Sequence, residues 1–130
     1  IVAFNERDHA AYREALNGIP EISLLSFDRN ERNSHHYVVI EFGEDYPTSR
    51  DEIVTALQAE NILARKYFWP GAHRMQPYRE LYPHAGLLLP RTEAVASRVV
   101  VLPIGAADGA IETAAAAIRV LGNTTSGIFA

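Results

Sequence analysis

The sequence predicts a single α+β domain in which helices pack on one face of a small sheet. A strand-like segment, a capped amphipathic helix and a second strand-like segment follow one another between residues 35 and 69, an order typical of such a sheet. The 130 residues are 48% hydrophobic and 22% charged, which is ordinary for a globular chain and argues against disorder. A chain of this length can form one core without cross-links. We therefore expect one domain spanning residues 1–130.

Composition and charge exclude several kinds of site. The formal net charge of -4 argues against a nucleic-acid groove, which usually needs a basic surface. Because the chain contains no cysteine, it has no disulfide, no thiolate metal ligand and no cysteine nucleophile. No apolar run approaches the roughly 20 residues of a membrane helix and no secretory signal opens the chain, so we expect a cytoplasmic protein. Lys66 is the single lysine and hence this chain's one candidate for Schiff-base chemistry.

The first elements are a helix and two strands. The helix is placed at residues 5–17 and ends at Gly18, because apolar residues recur at helical spacing at Tyr12, Ala15, Leu16 and Ile19. Residues 22–27 are apolar and rich in strand formers. Residues 35–42 alternate, which places on one face Val38, Ile40 and Phe42. The polar connection between these strands is too long for a tight hairpin and predicts an exposed loop.

The next helix has the clearest signal in the sequence. Ser49 and Glu52 have the spacing of a capping box, in which each side chain satisfies the other residue's backbone N–H. Asn61 can end this helix in a left-handed conformation. The buried face is expected to hold Ile53, Ala56 and Leu57. A strand over residues 62–69 is expected to follow, closed by a Pro-Gly turn.

The second half is less regular. A short helical turn over residues 77–81 is expected to open at its proline, and residues 92–98 predict a short helix capped by Thr92. Residues 99–102 predict a buried strand. Asp108 is expected to cap a last helix that ends near Gly122 and turns inward Ile111, Ala114, Ala115, Ile118 and Leu121. The remaining residues, 123–130, are expected to form a frayed tail.

The densest group of reactive and recognition side chains is segment 66–79, KYFWPGAHRMQPYR, in which aromatic residues are interleaved with cations. This composition suits the wall of a pocket for a polar ring bearing phosphates, because aromatic faces stack and arginines bind phosphate oxygens. The alternative is that the aromatic side chains belong to the core and the arginines are solvated. For His73 the alternative is a surface or partly buried histidine with a backbone partner. A general-base role is less expected, since no obvious carboxylate lies near it in sequence to orient it.

A metal site is not expected. His35 and His36 suggest one, but adjacent residues of a strand point to opposite faces and cannot easily reach the same ion. The sequence also contains none of the HExxH, GxSxG, P-loop or GxGxxG motifs.

The order of motifs in the chain resembles one known family. A strand leads into an aromatic-x-Pro-x-x-His loop at residues 68–73, followed by Pro77-Tyr78, by LPRTE at 89–93 and by RVVVLP at 98–103. This order resembles the C-terminal small domain of the PLP-dependent nucleotide-sugar aminotransferases, the DegT/StrS family. The first helix is similar to the linker helix that enters this domain, so residues 1–20 would be the end of that linker helix.

The resemblance implies the small domain of a fold type I aminotransferase, with a small, mainly antiparallel sheet. Such enzymes are homodimers that move an amino group, usually from glutamate, to a nucleotide-linked keto-sugar. By matching the loop, His73 would face the nucleotide-sugar substrate, with Tyr67 and Phe68 supporting it and Arg74 beside it. PLP would be held by the large domain of the parent enzyme, so this chain alone would contain no catalytic or cofactor-binding residue and would be inactive.

Two further expectations follow from this interpretation. A domain separated from its partner should expose an apolar patch, which we expect on the first helix through Tyr12 or Leu16, or on the aromatic loop. The alternative function is a free-standing, non-catalytic domain that binds a nucleotide-sugar or a partner protein. The last helix departs from the family's usual pattern at its start, AADGAIETAA.

Overall fold

The computed structural model describes residues 1–105 and 109–123. The chain is α+β, as predicted. Its longer helices are α1 (Val2–Ala15), α2 (Arg50–Ala59) and α6 (Ala110–Gly122). Its short helices are α3 (Tyr78–Leu81), α4 (Ala85–Leu88) and α5 (Pro90–Ala96), preceded by a 3-10 turn, Ala72–Arg74. The strands are β1 (Ile22–Leu24), β2 (Val38–Phe42) and β3 (Val99–Leu102).

The sheet of the described residues has the order β1-β2-β3 and is antiparallel throughout. Ile22 pairs with Phe42, and Val38 pairs with Leu102, so the central strand is β2. The predicted alternation of β2 is confirmed, because alternate residues of this strand are buried and the others are not. Helices α1 and α2 both contact α6, and α2 also contacts β3. One core therefore fills the space between the helices and the sheet, and its largest fully buried side chains are Tyr12, Val38, Ile40, Ile53, Leu57, Val100, Leu102 and Ile118.

Helix α2 forms as the sequence predicts. The Ser49 hydroxyl accepts from the backbone N–H of Glu52 at 3.2 Å, and the Glu52 carboxylate accepts from the N–H of Ser49 at 3.4 Å. Asn61 has a φ of 63°, which is the left-handed conformation expected just after the helix. Of the predicted buried face, Ile53 and Leu57 are fully buried, whereas Ala56 is half-buried.

The first helix buries the residues that were candidates for an exposed patch. Helix α1 starts and ends earlier than predicted, and the side chains of Tyr12 and Leu16 lie in the core. The Tyr12 hydroxyl donates to the backbone oxygen of Pro103 at 2.7 Å. The expectation that Tyr12 or Leu16 contributes to an exposed patch is therefore wrong, because this chain's own sheet and α6 already cover them.

The predicted strand over residues 62–69 is wrong. Only Arg65 pairs with the sheet, through an isolated bridge to Val101 with N–H···O distances of 3.0 and 2.9 Å. Beyond the bridge the backbone N–H of Trp69 donates to the oxygen of Lys66 at 2.7 Å, which closes a turn. The chain leaves the sheet there, so its β-forming aromatic residues lie on a loop. Strand β1 is also shorter than predicted, and β2 begins at Val38, not at residue 35.

The short helices of the second half differ in detail from the prediction. Helix α5 begins at Pro90, at its first position, and has no side-chain cap, so the expected Thr92 cap is wrong. Helix α4 has no counterpart among the predicted elements. The expected Asp108 cap and most of the expected tail, residues 124–130, lie outside the described residues. Among the described residues, Gly109 has a left-handed conformation and immediately precedes α6. No helix in the described part of the chain has the length and apolar character needed to cross a membrane.

Candidate functional site

The candidate site is built on the loop that runs from the Arg65 bridge to α3. Gly71 has a φ of 102° and starts the 3-10 turn that carries His73. A Cβ atom at position 71 would lie 2.7 Å from Cε1 and 2.9 Å from Nδ1 of His73. Glycine is required here for two reasons, since an L side chain disfavours this φ and would also collide with the imidazole.

The imidazole of His73 is tied to a carboxylate on α5. Its Nε2 lies 2.6 Å from Oε1 of Glu93, and the same oxygen accepts from Nε of Arg74 at 2.6 Å. Only 9% of the His73 side chain is exposed, against 29% for Glu93 and 51% for Arg74. We call these three side chains the Glu93 cluster. His73 is therefore held against α5, contrary to the expectation that no carboxylate would orient it.

The charges of the cluster stabilise one another. The hydrogen bond from Arg74, and then the one from His73, lowers the pKa of the Glu93 carboxyl below its ordinary value. The bond to Glu93 in turn raises the pKa of Arg74. The carboxylate of Glu93 is thus ionised at neutral pH and acts as an acceptor for both neighbours.

A second glycine leaves room for the cluster. A Cβ atom on Gly86 of α4 would lie 2.8 Å from Oε1 of Glu93 and 2.8 Å from an Nη atom of Arg74. The backbone of α4 can therefore approach the ion pair closely only because residue 86 has no side chain.

The aromatic part of the loop is on the surface, not in the core. The rings of Tyr67 and Phe68 are stacked, with 5.0 Å between centroids and 14° between planes, and Phe68 is 65% exposed. Both rings line a shallow groove of about 430 Å³, together with Arg91 and Thr92 of α5. The alternative that these aromatic side chains are core residues is wrong. The structure instead has an exposed aromatic wall beside an arginine.

Arg50 packs against this loop. No motif in the sequence marked Arg50 as part of the site. The side chain is nearly buried, and its Nη1 donates to the backbone oxygens of Ala96 at 2.7 Å and Val99 at 3.2 Å. Its guanidinium lies over the indole of Trp69, 4.8 Å from the ring centroid. Arg50 thereby joins α2, the end of α5 and the aromatic loop.

The four residues that the resemblance assigned to substrate binding form two pairs. Tyr67 and Phe68 line the groove, whereas His73 and Arg74 meet at Glu93 and are not part of the groove lining. Glu93 was not among the predicted site residues. Its position at the end of the LPRTE motif is the signal that could have identified it. Glu93 and His73 are 20 residues apart in the chain, so nothing in the sequence indicated that their side chains are in contact.

The single lysine of the sequence, Lys66, lies against α2 and not in the groove. Nζ of Lys66 lies 3.5 Å from Oδ1 of Asp51, which is also bonded to Arg50. This contact directs the only amine side chain of the chain to α2, and Lys66 does not line the groove beside Tyr67. A Schiff-base site needs a lysine free to reach the cofactor's carbonyl carbon.

The paired histidines do not converge on one point. His35 packs against His9 and Phe27, with centroid distances of 5.6 and 5.1 Å, whereas His36 packs edge-on against Tyr37. Within residues 1–105 and 109–123 no group of three histidine, aspartate or glutamate side chains could hold a metal ion.

The fold and the order of the motifs are those of one aminotransferase family. The profile of the DegT/DnrJ/EryC1/StrS aminotransferase family matches residues 1–118, so the chain belongs to this family. It is 36% identical over 93 residues to a dTDP-4-amino-4,6-dideoxy-D-glucose transaminase of Escherichia coli. The aligned region covers 72% of this chain and 25% of that enzyme. The same-named transaminase of Shigella dysenteriae is 33% identical over 95 residues, with 73% and 25% covered. The chain thus spans about a quarter of the length of these relatives.

Solved structures agree on the fold. DesI, solved in the presence of its TDP-sugar product, superposes with a TM-score of 0.85 at 36% identity, covering 99% of this chain and 33% of DesI. Helicobacter pylori PseC, an aminotransferase involved in pseudoaminic acid biosynthesis, superposes with a TM-score of 0.79 at 18% identity, covering 95% of this chain and 33% of PseC. At that identity PseC supports the fold alone.

Proposed function

We propose that this chain is the small domain of a PLP-dependent enzyme that transfers an amino group from an amino acid, glutamate, to a nucleotide-linked keto-sugar. The coverage supports this, because the chain matches about a quarter of two transaminases and a third of DesI. Both transaminases are named for a dTDP-linked sugar, and DesI was solved with a TDP-sugar as its product. We propose a keto-deoxyhexose linked to deoxythymidine diphosphate as the acceptor.

The observation that carries the proposal is the anchored imidazole beside an exposed aromatic wall. His73 is held by Glu93, and in the stacked pair Tyr67–Phe68 the Phe68 ring is exposed and Tyr67 is half-buried. A nucleotide-sugar offers flat and apolar faces for stacking, hydroxyl groups for hydrogen bonds, and phosphates for arginines. In this proposal Tyr67 and Phe68 contact a ring of the substrate, His73 contacts the sugar, and the exposed end of Arg74 contacts the phosphates.

The cofactor is assigned to the rest of the enzyme. Because Lys66 is engaged with Asp51, we propose that the parent's large domain binds PLP, which supplies the electron sink for amino transfer. This chain alone is then inactive. The parent is proposed to be a cytoplasmic homodimer without a nucleic-acid or membrane partner.

The test is the His73→Gln variant of the protein encoded by the complete reading frame. We expect the half-reaction with the keto-sugar to slow by about tenfold to a thousandfold, the range for loss of one positioning or proton-transferring group. The half-reaction with glutamate and the cofactor's absorbance spectrum should not change. His84→Gln, which replaces an exposed histidine of the same region, is the matched control.

Two outcomes would overturn the proposal. If the complete protein transfers no amino group to a dTDP-linked keto-sugar, the enzyme assignment fails, and a complete frame no longer than one domain would favour the free-standing binding domain. If turnover per folded enzyme is the same in wild type and in His73→Gln, His73 has no role in the substrate site.

A further inference from the structure

We infer that Glu93 is a positioning residue that fixes the tautomer of His73, so that Nε2 donates to the carboxylate and Nδ1 is presented as an acceptor to a hydroxyl or amino group of the ligand. The ligand part of this inference rests on the proposed function, whereas the tautomer can be tested on this chain by itself. Glu93 was not among the site residues that the resemblance implied.

The first step concerns the proton on Nε2. Oε1 of Glu93 receives contacts from two nitrogen atoms, Nε of Arg74 and Nε2 of His73, each at 2.6 Å. An ionised carboxylate has no proton to give, so both nitrogens must donate. The guanidinium of Arg74 keeps the carboxyl ionised, in agreement with its lowered pKa. A neutral His73 therefore carries its proton on Nε2.

The second step concerns the orientation of the ring. The His73 side chain is nine-tenths buried, and its Nδ1–Cε1 edge packs against the backbone at Gly71. Rotating the ring by half a turn would exchange Nε2 with Cε1 and break the bond to Glu93. The arrangement therefore leaves Nδ1 as the ring nitrogen without a hydrogen bond to the described residues.

The third step gives the chemistry of the ligand group. In this tautomer Nδ1 carries a lone pair and accepts a hydrogen bond. It therefore suits the hydroxyl or amino group of a sugar and repels a phosphate oxygen, which has a lone pair of its own. Phosphates are left to arginine side chains such as the half-exposed Arg74. His73 would thus recognise the sugar part of the substrate and not the diphosphate.

The tautomer is tested by long-range proton–nitrogen correlation spectra of this chain, with uniform nitrogen-15 labelling. At a pH where the imidazole is neutral, we expect in wild type an acceptor-type shift for Nδ1 of His73 and a protonated-type shift for Nε2. In Glu93→Gln the amide offers both a donor and an acceptor, so the two shifts should move toward an average of both tautomers. Glu80→Gln, in which the replaced carboxylate bonds to Gln76 instead, is the control and should leave His73 unchanged. A wild-type spectrum with the proton on Nδ1, or no response to Glu93→Gln, would overturn the inference.

The ligand role is tested in the complete enzyme with dTDP-glucose and dTDP as probes. We expect Glu93→Gln to weaken binding of dTDP-glucose about tenfold more than it changes binding of dTDP, as for one hydrogen bond of a buried acceptor. Glu93→Asp should not restore binding, because the shorter side chain cannot reach both donors. Equal weakening of both probes would show that Glu93 acts through the fold and not through sugar recognition. A complete enzyme without amino transfer would refute the proposed function and leave the tautomer result standing.

Discussion

The guanidinium of Arg50 lies over the indole of Trp69, with 4.8 Å between Cζ and the ring centroid. The two residues belong to different elements, the first turn of α2 and the aromatic loop. The same guanidinium donates to the backbone oxygens of Ala96 and Val99, which flank the junction of α5 and β3. One nearly buried cation therefore links the loop to the scaffold that carries Glu93.

Arg50→Met should reduce the free energy of unfolding by about 2 kcal/mol. The change keeps an apolar stem of similar length but leaves two backbone oxygens without their charged donor, and hydrogen bonds to charged groups contribute about 1.5–3 kcal/mol. Urea denaturation followed by circular dichroism measures the loss. Arg32→Met is the control, since Arg32 is exposed and should change stability by less than about 0.5 kcal/mol. Equal effects of the two substitutions would show that the Arg50 contacts contribute nothing.

Gly86→Ala should disturb the Glu93 cluster without unfolding the protein. The new Cβ would lie 2.8 Å from Oε1 of Glu93, and the ends of the Glu93 and Arg74 side chains can move away. Alanine also favours a helix over glycine by about 1 kcal/mol, which offsets part of the cost. We expect a melting temperature within a few degrees of wild type and a clear shift of the His73 ring nitrogens in NMR spectra. Leu87→Ala, at an exposed position of the same helix, should leave those nitrogens where they are.

Tyr46→Phe should alter stability at alkaline pH. Burial raises the pKa of Tyr46 from 10.0 to about 12, and its hydroxyl donates to the backbone oxygen of Ile118 at 2.5 Å. The folded state holds this phenol neutral. Its contribution to the free energy of unfolding is therefore complete below pH 10 and is lost as the pH rises toward 12.

The variant should lose about 1 kcal/mol at neutral pH and show a weaker fall in stability above pH 10. Thermal melts across this range, with phenolate absorbance as a second signal, measure both effects. Tyr82→Phe serves as the comparison, because Tyr82 is exposed. An alkaline profile of Tyr46→Phe that overlays wild type would contradict the assignment.

Leu87 and Leu88 of α4 should promote self-association of the isolated chain. They are 82% and 81% exposed, and exposed apolar patches favour association. Burial of a leucine contributes about 1.5–3 kcal/mol, so replacing both by serine should weaken association more than about tenfold in sedimentation experiments. Leu25→Ser removes an exposed leucine of the β1–β2 connection and is the control. A monomeric wild type at high concentration would remove the basis for this prediction.

Lys66 should not form a functional adduct with PLP in this chain alone, since its ammonium is directed to Asp51. Borohydride trapping followed by mass spectrometry tests this, and Lys66→Arg is the control for modification of the N-terminus. A stoichiometric adduct at Lys66 that disappears on addition of glutamate would be the contrary result.

Local signals in the sequence determined the elements whose stabilising contacts are close along the chain. The capping box of Ser49 and Glu52 and the left-handed Asn61 depend on neighbours within a few residues, so α2 is predictable to within a residue or two. The alternation of β2 was also readable, because one buried face imposes a period of two on the sequence. The ordered motifs of the loop and α5 indicated the family, which the profile match to residues 1–118 shows.

The tertiary structure alone decided which distant residues meet. Aromatic residues favour strands and so predict one over residues 62–69, but strand propensity is weak and only Arg65 found a partner in the sheet. No carboxylate lies near His73 in the sequence, yet distance along the chain says nothing about contacts between loops. Folding brings Glu93 to within 2.6 Å of His73 and places Arg50 against the ring of Trp69. These contacts depend on how α2, α5 and the loop pack together, and side-chain patterns within one element carry no information about that packing.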